Sequence, residues 1–287
     1  MILYTNGCSF TQGHEDHRIL KGKSGLKKDD KVLDSEWAWP QLLKEYFDEV
    51  INEAWSGGSN NRIFRRTLEY AQSLSDVNDH LFIIQCTNPT RSEFFDTDTG
   101  VWVGTINNLV VYDDISCNAD IDKNFVQKLS KGNREFEHIQ LNNETTYTAF
   151  LNNLVSFDFI MNQLGCKVFY TGLSLTVTPH ILKTLLYTYI NEPDHHLQNP
   201  NLQKIYPANS NSVDQSTRTT SGLNIQVAKN HLLLLESIPN LDFRCFDAIS
   251  SITKGHTVSK TDTHPNKTGH SIFARYIINE LRSRDIL

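Results

Sequence analysis

The sequence contains few cysteines, and they are not paired at close spacing. Five cysteines are dispersed over 287 residues, and no two of them form a CxxC pair. An odd, scattered set argues against a disulfide framework and against a zinc site that uses cysteine ligands. The simpler interpretation is that the thiols are reduced.

An excess of basic residues and a long apolar run are also missing. The sequence has 27 lysines and arginines against 33 aspartates and glutamates, a net charge of -6, whereas nucleic-acid binding usually needs a basic face. No stretch approaches the roughly 20 apolar residues of a membrane span. The N-terminus also lacks the basic and then apolar pattern of a signal peptide. We therefore expect no nucleic-acid partner, no membrane partner and a cytoplasmic location.

Metal ligands do not occur at a recognisable spacing either. His14 and His17 form an HxxH pair in a charged stretch, and His195 and His196 stand together in a polar one. Neither pair is accompanied by carboxylates or cysteines at the spacing that metal ligands take. The sequence therefore predicts no metal site and no cofactor.

What the sequence does contain is an alternation of short apolar runs and segments with helical periodicity. The apolar runs predict strands at residues 2–5, 50–54, 81–86, 167–170 and 243–246. The helical spacing predicts helices at residues 37–47, 61–74, 147–164, 227–235 and 266–284. About five strand–helix repeats indicate an α/β fold whose central parallel sheet is covered by helices on both faces.

Two polar stretches interrupt this alternation. Residues near 96–145 are rich in Asn and Asp, and residues near 178–225 contain Pro, Asn and Ser. We interpret both as loop insertions rather than domain linkers, and we expect irregular structure in the first. The expected organisation is therefore a single domain over residues 1–287.

The loop after the first predicted strand contains a candidate nucleophile. Open parallel sheets place their active sites at the carboxyl ends of the strands, and the first strand is followed by Gly7, Cys8 and Ser9. A nucleophilic serine needs an accessible hydroxyl on a tight turn near backbone N–H groups, and Gly7 permits such a turn. The alternative is that Ser9 only caps a helix.

The loops after the next two strands contain candidates for stabilising negative charge. Gly57 lets the backbone approach a ligand and present its N–H group to an oxyanion, although an ordinary loop with a helix cap has the same composition. Thr87 or Asn88 can supply a further donor from the third loop. Arg91 and Glu93 in that loop can meet a substrate, but an ion pair that anchors the loop is the favoured interpretation.

The last candidate site directly precedes the final predicted helix. It contains Asp262 and His264, separated by one residue. A carboxylate near an imidazole can orient the ring and stabilise its protonated form, so His264 is a candidate general base and Asp262 its partner. The alternative is a turn with a solvent-exposed histidine.

Taken together in chain order, these four loops resemble the motifs of the SGNH/GDSL hydrolases. The resemblance runs from Gly7 to His270, and its specificity lies in the combination of short motifs. It implies a three-layer α/β/α sandwich, flavodoxin-like in outline, that hydrolyses esters without a metal. It also implies a catalytic triad and an oxyanion hole. The triad is Ser9, His264 and Asp262, and the oxyanion hole consists of the Ser9 and Gly57 N–H groups and a polar side chain of the third loop.

The sequence departs from the pattern of that family in three places. Cys8 stands where the aspartate of the GDS motif is expected. The third motif lacks its Gly-x-Asn-Asp form, so that Asn88 or Thr87 takes the place of the asparagine, and we expect the larger loss of activity on removal of Asn88. The last motif is Asp-x-His rather than Asp-x-x-His, which leaves open whether Asp262 reaches His264.

Three functions are compatible with these residues. The first is a serine esterase or deacylase acting on a small-molecule or glycan ester, with O-acylated carbohydrate as the favoured class. The second is a non-catalytic binding or structural module on the same fold, for which the altered third and fourth motifs argue. The third is an acyltransferase that uses the same serine. Neither the acyl group nor the oligomeric state follows from the sequence.

Overall fold

The centre of the computed structural model is a sheet of four parallel strands. They are β1 (Ile2–Asn6), β2 (Glu49–Asn52), β3 (His80–Cys86) and β7 (Lys167–Gly172), in the spatial order β2-β1-β3-β7. Beyond β7, the segment at Cys245 pairs with Tyr170 through a single parallel bridge. Counting this segment as a fifth position, the order is 2-1-3-4-5, which is that of flavodoxin-like folds.

The structure describes residues 1–13, 36–89, 91–96, 101–106, 109–112, 143–192, 222–258 and 263–287. Seven α-helices lie within these ranges. They are α1 (Ser9–Gln12), α2 (Asn60–Ser73), α3 (Asn143–Gln163), α4 (Pro179–Asn191), α5 (Gly222–Glu236), α6 (Ile249–Ile252) and α7 (Lys267–Ser283). Two 3-10 turns, Gln41–Leu43 and Leu175–Val177, complete the helical structure of the described ranges.

Both faces of the sheet are covered, because side chains alternate in direction along each strand. On one face Tyr4, Phe82 and Ile84 pack in a buried cluster with residues of α2, α3, α4 and α5. On the other face Leu3 and Ile83 pack with α1, α7 and the segment around Trp39 and Leu43. Every residue of β3 is buried, as expected for a parallel strand covered on both sides. The predicted α/β class with three layers is confirmed.

The first predicted insertion contains regular structure that the sequence analysis did not anticipate. Strands β4 (Ser92–Asp96), β5 (Val101–Ile106) and β6 (Leu109–Tyr112) form an antiparallel sheet in the order β4-β5-β6. The expectation of irregular structure is therefore wrong for residues 101–106 and 109–112. The Asn/Asp-rich composition of the whole stretch concealed short runs of β-branched residues, which favour strands.

Three further elements differ from their predictions. The helix predicted at 37–47 is wrong: the segment is a series of turns around a short 3-10 helix, with hydrogen bonds such as Leu43 N to Pro40 O at 3.0 Å. The strand predicted at 243–246 is limited to the bridge at Cys245. The second predicted insertion begins with α4, whose Leu182, Leu186 and Tyr189 are buried.

None of the helices within the described ranges combines the length and the apolar character that crossing a bilayer requires. The assignment of residues 1–287 to one domain stays a prediction, as does the expected location of the protein.

Candidate active site

Ser9 stands on a tight turn between the end of β1 and the start of α1. Its side chain is buried within the turn, with 4% of the residue exposed. Gly7 makes this turn possible, because a Cβ atom at position 7 would lie 2.5 Å from Gln85 Oε1 and 2.7 Å from Thr11 Oγ1. No residue with a side chain fits there without a shift of the backbone.

Buried side chains from two adjacent strands hold this turn in place. Gln85 Oε1 accepts hydrogen bonds from the backbone N–H of Cys8 at 3.2 Å and from the hydroxyl of Thr11 at 2.6 Å. Asn6 Oδ1 accepts from the backbone N–H of Gly7 at 2.9 Å. Gln85 Nε2 also lies 3.3 Å from Cys8 Sγ. Cys8 therefore has a buried structural contact.

The structure brings Ser9 and His264 together from opposite ends of the chain. Ser9 Oγ lies 2.8 Å from His264 Nε2, within hydrogen-bond distance, although 255 residues separate them. The imidazole also packs against the ring of Phe10, with 4.7 Å between ring centroids. The serine hydroxyl can therefore pass its proton to the imidazole without a large movement of either side chain.

Backbone hydrogen bonds hold the loop that carries His264. The N–H of Val258 donates to the carbonyl of His264 at 2.9 Å, and Thr257 pairs with Pro265 in an antiparallel bridge. Asn266 then caps α7, its side chain accepting from Gly269 N at 3.0 Å. Asp262 lies outside the described residues, so its pairing with His264 stays a prediction.

The Gly57 loop, residues 53–59, lies beside the nucleophile turn, a name used here for residues 7–12 around the candidate nucleophile Ser9. The N–H of Trp55 donates to the carbonyl of Gly7 at 3.0 Å, and Gly57 has a positive φ of 87°, a backbone conformation that glycine adopts without strain. Asn52 connects β2 to the far end of α1 by donating to the carbonyl of Thr11 at 3.2 Å. The loop that contains Gly57 is therefore joined to the turn that precedes Ser9, while the role of Gly57 stays a prediction.

The third loop presents one buried and one exposed candidate donor. Thr87 is fully buried, and its Oγ1 has no hydrogen-bond partner in the part of the chain that the structure describes. Asn88 is exposed. The side chain of Asn60 holds the Thr87 backbone through two hydrogen bonds, accepting from Thr87 N at 2.8 Å and donating to Thr87 O at 2.9 Å.

Arg91 and Glu93 have different neighbours rather than each other. Glu93 forms an ion pair with Arg65 of α2 at 2.7 Å, and its carboxylate is almost completely buried. Arg91 Nη1 lies 3.4 Å from the carbonyl of Gly58. Glu93 therefore anchors the third loop to α2, and Arg91 anchors it to the Gly57 loop.

The structure also reveals residues near the site that sequence analysis did not single out. Gln85 is a polar residue in an otherwise apolar strand, which is the signal that could have identified it, because buried polar groups need partners. His270 is buried under the His264 loop, and its Nδ1 accepts from Trp39 N at 3.2 Å. Burial, together with the nearby charge of protonated His264, lowers the pKa of His270 to about 4.

No group of three or more His, Cys, Asp or Glu side chains within the described ranges is arranged to hold a metal ion. The histidines at 14, 17, 195 and 196 lie outside those ranges. The arrangement at Ser9 offers a hydroxyl, an adjacent base and neighbouring backbone N–H groups, which are the components of acyl transfer through a covalent intermediate.

No protein-family model matches the sequence, and no curated protein matches it. Several solved structures are similar to the chain. One is the psychrotrophic esterase EstA from Pseudoalteromonas sp., inhibited by monoethylphosphonate, with 10% identity, a TM-score of 0.45, and coverage of 98% of this chain and 97% of that chain. Another is TesA, with 12% identity, a TM-score of 0.43, and coverage of 99% of both chains. A third is LAE5, an alpha/beta hydrolase enzyme from the metagenome of Lake Arreo, Spain, with 12% identity, a TM-score of 0.38, and coverage of 100% of this chain and 95% of that chain.

Proposed function

We propose that the chain is a serine hydrolase of ester bonds in which Ser9 is the nucleophile and His264 the general base. The observation that supports this most strongly is the distance of 2.8 Å between Ser9 Oγ and His264 Nε2. A serine is a weak nucleophile by itself, and a base within hydrogen-bond reach is what activates it. A serine that only capped α1 would need no imidazole at this distance.

The reaction has two steps. Ser9 Oγ attacks the ester carbonyl carbon while its proton moves to His264 Nε2, and the tetrahedral intermediate collapses as the imidazolium protonates the leaving alcohol. Water then attacks the acyl-serine, its proton passes to His264, and the carboxylic acid leaves as the proton returns to Ser9. Asp262 is proposed to orient the His264 ring during both steps.

The negative charge that develops on the carbonyl oxygen needs donors that are already in place. The backbone N–H groups of Ser9 and Gly57 are proposed as two of them. The contact between Trp55 N and Gly7 O supports this pairing, because it joins the two loops side by side. A third donor is proposed from the loop that contains Thr87 and Asn88.

The first experiment is labelling with a fluorophosphonate probe, which reacts with activated serines. The wild-type protein should be labelled at Ser9, and Ser9→Ala should not be labelled. Ser251→Ala, at an exposed serine of α6, is the matched control and should be labelled like the wild type. Equal labelling of wild type and Ser9→Ala would refute the nucleophile, and an unlabelled wild type would favour a binding or structural module.

The second experiment addresses the acceptor and the substrate class. Hydrolysis predicts release of acetate from O-acetylated carbohydrate in water, with p-nitrophenyl acetate as a generic reference ester. An acyltransferase would instead form a new ester when an acceptor alcohol is added, at the expense of free acetate. Quantifying both products in the same reaction separates the two activities, since they share the acyl-serine and differ in what attacks it.

A further inference from the structure

The hydroxyl of Thr87 is a buried polar group with an unused donor. Its Oγ1 has no hydrogen-bond partner among the described residues, and the residue is fully buried. A buried group without a partner reduces stability, and such groups in native structures require a specific explanation. A valine has the same shape without that cost.

Thr87 lies in the loop that leaves the same edge of the sheet as the turn with Ser9. Strands β1 and β3 are parallel neighbours, with Asn6 opposite Ile84, and Ser9 and Thr87 follow their carboxyl ends. Side chains alternate along a strand, and Gln85, two residues before Thr87, contacts Cys8 and Thr11 at the nucleophile turn. Thr87 is buried and Asn88 is exposed, which is the alternation that places Thr87 on the side of Gln85 and Asn88 on the opposite side.

Asn60 controls the orientation of Thr87. Its side-chain amide, 3% exposed, bonds to both the N–H and the carbonyl of Thr87. It begins α2, three residues after Gly57. A single buried side chain therefore connects the Gly57 loop to the Thr87 loop, and it fixes the backbone of Thr87 while the hydroxyl has no partner among the described residues.

We propose that the hydroxyl of Thr87, rather than the amide of Asn88, is the third oxyanion donor, and that Asn60 is the residue that positions it. This proposal rests on the function proposed above. In the tetrahedral intermediate, the oxyanion accepts from the N–H groups of Ser9 and Gly57 and from the hydroxyl of Thr87. The Thr87 hydroxyl therefore gains an acceptor only in the tetrahedral intermediate, where negative charge develops on the carbonyl oxygen.

The first test compares Thr87→Val, Thr87→Ser and Asn88→Ala, using the rate of phosphonylation of Ser9 and the hydrolysis of p-nitrophenyl acetate. Thr87→Val should lower kcat about 100- to 1000-fold, the usual effect of losing one oxyanion donor, with little change in KM. Its Tm should equal or exceed that of the wild type, because an unpartnered hydroxyl is removed. Thr87→Ser should retain most of the rate, and Asn88→Ala should resemble the wild type.

The second test is a double-mutant cycle for Asn60. Asn60→Ala should lower kcat in the wild-type background and have little further effect in the Thr87→Val background, because a positioning residue acts through the group that it positions. Tm should fall in both backgrounds by a similar amount, since the Thr87 backbone loses its partners in each. An equal loss of kcat in both backgrounds would show that Asn60 does not act through Thr87.

The outcomes separate this proposal from the one on which it depends. If Ser9 of the wild type is labelled and Thr87→Val reacts as fast as the wild type, the assignment of Thr87 is wrong but the proposed hydrolase function is retained. A slow Asn88→Ala beside a fast Thr87→Val would return the role to Asn88. If the wild type itself is not labelled, both proposals fail.

Discussion

The two halves of the Ser9–His264 pair are held in different ways. On the serine side, buried side chains of Asn6 and Gln85 bond to the turn from adjacent strands. On the histidine side, backbone hydrogen bonds and a helix cap by Asn266 hold the loop. Ser9 is thus fixed by long-range side-chain contacts, whereas His264 depends on local structure next to α7.

This difference indicates where the site should be most sensitive to mutation. Buried side-chain hydrogen bonds leave unpaired groups when one partner is removed, which is costly. Backbone hydrogen bonds survive most substitutions. The loop that carries His264, here called the histidine loop, should therefore tolerate changes of its side chains, except a side chain that orients the imidazole. The following predictions test this contrast, from the largest expected effect to the smallest.

The largest effect is expected for Asp262→Asn. If Asp262 orients the imidazole, the amide favours the wrong tautomer, and kcat should fall about ten-thousand-fold while Tm changes little. The measurement is kcat for p-nitrophenyl acetate, with Asp285→Asn, at a C-terminal position outside the site, as the control. Unchanged kcat would mean that a different group holds the ring and that the histidine loop needs no acidic partner.

Next in size is the loss of the glutamine beneath the nucleophile turn. Gln85→Leu leaves the Cys8 N–H and the Thr11 hydroxyl without their acceptor, at about 1–3 kcal/mol for each buried group. Chemical denaturation should show a lower free energy of unfolding by about 2–6 kcal/mol. Gln163→Leu, at an exposed glutamine of α3, should stay within about 0.5 kcal/mol of the wild type. Similar free energies of unfolding for Gln85→Leu and Gln163→Leu would show that the buried bonds of Gln85 do not stabilise the serine side.

A pH-dependent effect is expected on the histidine side. His270 has a pKa lowered from 6.5 to about 4, chiefly by burial, so between these values the unfolded chain binds a proton that the folded chain does not. Stability is therefore fully present above pH 6.5 and falls with decreasing pH, by about 3 kcal/mol in total at about 1.4 kcal/mol per pH unit.

The variant His270→Asn isolates this contribution, because its amide oxygen stands near the position of Nδ1 and can still accept from Trp39 N but does not titrate in this range. Its free energy of unfolding should fall less steeply than that of the wild type between pH 6.5 and 4. His231, whose pKa is also lowered to about 4 by burial, contributes equally in both proteins and cancels in the comparison. Parallel curves would show that His270 is not held neutral in the folded state.

The smallest effect is expected for the cap of α7. Asn266→Ala removes the acceptor for Gly269 N and the donor to the carbonyl of Thr257, and should cost about 1–2 kcal/mol. Asn266→Asp keeps the acceptor but lacks the donor, so it should restore only part of the stability. The measurement is thermal or chemical unfolding of the three proteins. If Asn266→Ala lowers the free energy of unfolding as much as Gln85→Leu does, the serine side and the histidine side depend equally on side-chain hydrogen bonds.

The sequence was sufficient for the four strands of the central sheet, for helices α2, α3, α5 and α7, and for grouping the loops that follow these strands. Continuous apolar runs such as residues 81–86 identify parallel strands that are buried on both faces. The caps Ser59 and Asn266 mark the starts of α2 and α7, where their side chains accept from Arg62 N and Gly269 N. Because the carboxyl ends of parallel strands lie at one edge of a sheet, the loops that follow them could be grouped from the strand pattern alone.

What the sequence did not reveal depends on contacts between distant residues. The bond between Gln85 and Cys8 joins positions 77 residues apart, and the clamp of Asn60 on Thr87 joins two loops, so neither has a local pattern. At residues 37–47 the spacing of Trp39, Leu43 and Phe47 imitates a helix, because successive turns also bury every fourth residue here. For β5 and β6, the short apolar runs on either side of Asn107 and Asn108 were the signal that composition concealed.

The close packing around Gly7 limits which substitutions this protein can accept during evolution. A Cβ atom there would also lie 2.8 Å from the Cβ of Gln85, an atom that every residue except glycine possesses. A shorter side chain at position 85 therefore does not make room at position 7. Any pair of substitutions that leaves a Cβ atom at both positions keeps this clash. Position 7 is closed to substitution as long as β1 and β3 keep their spacing. Adaptation to a new substrate, in nature or in a selection experiment, therefore has to leave Gly7 in place and to proceed through other positions.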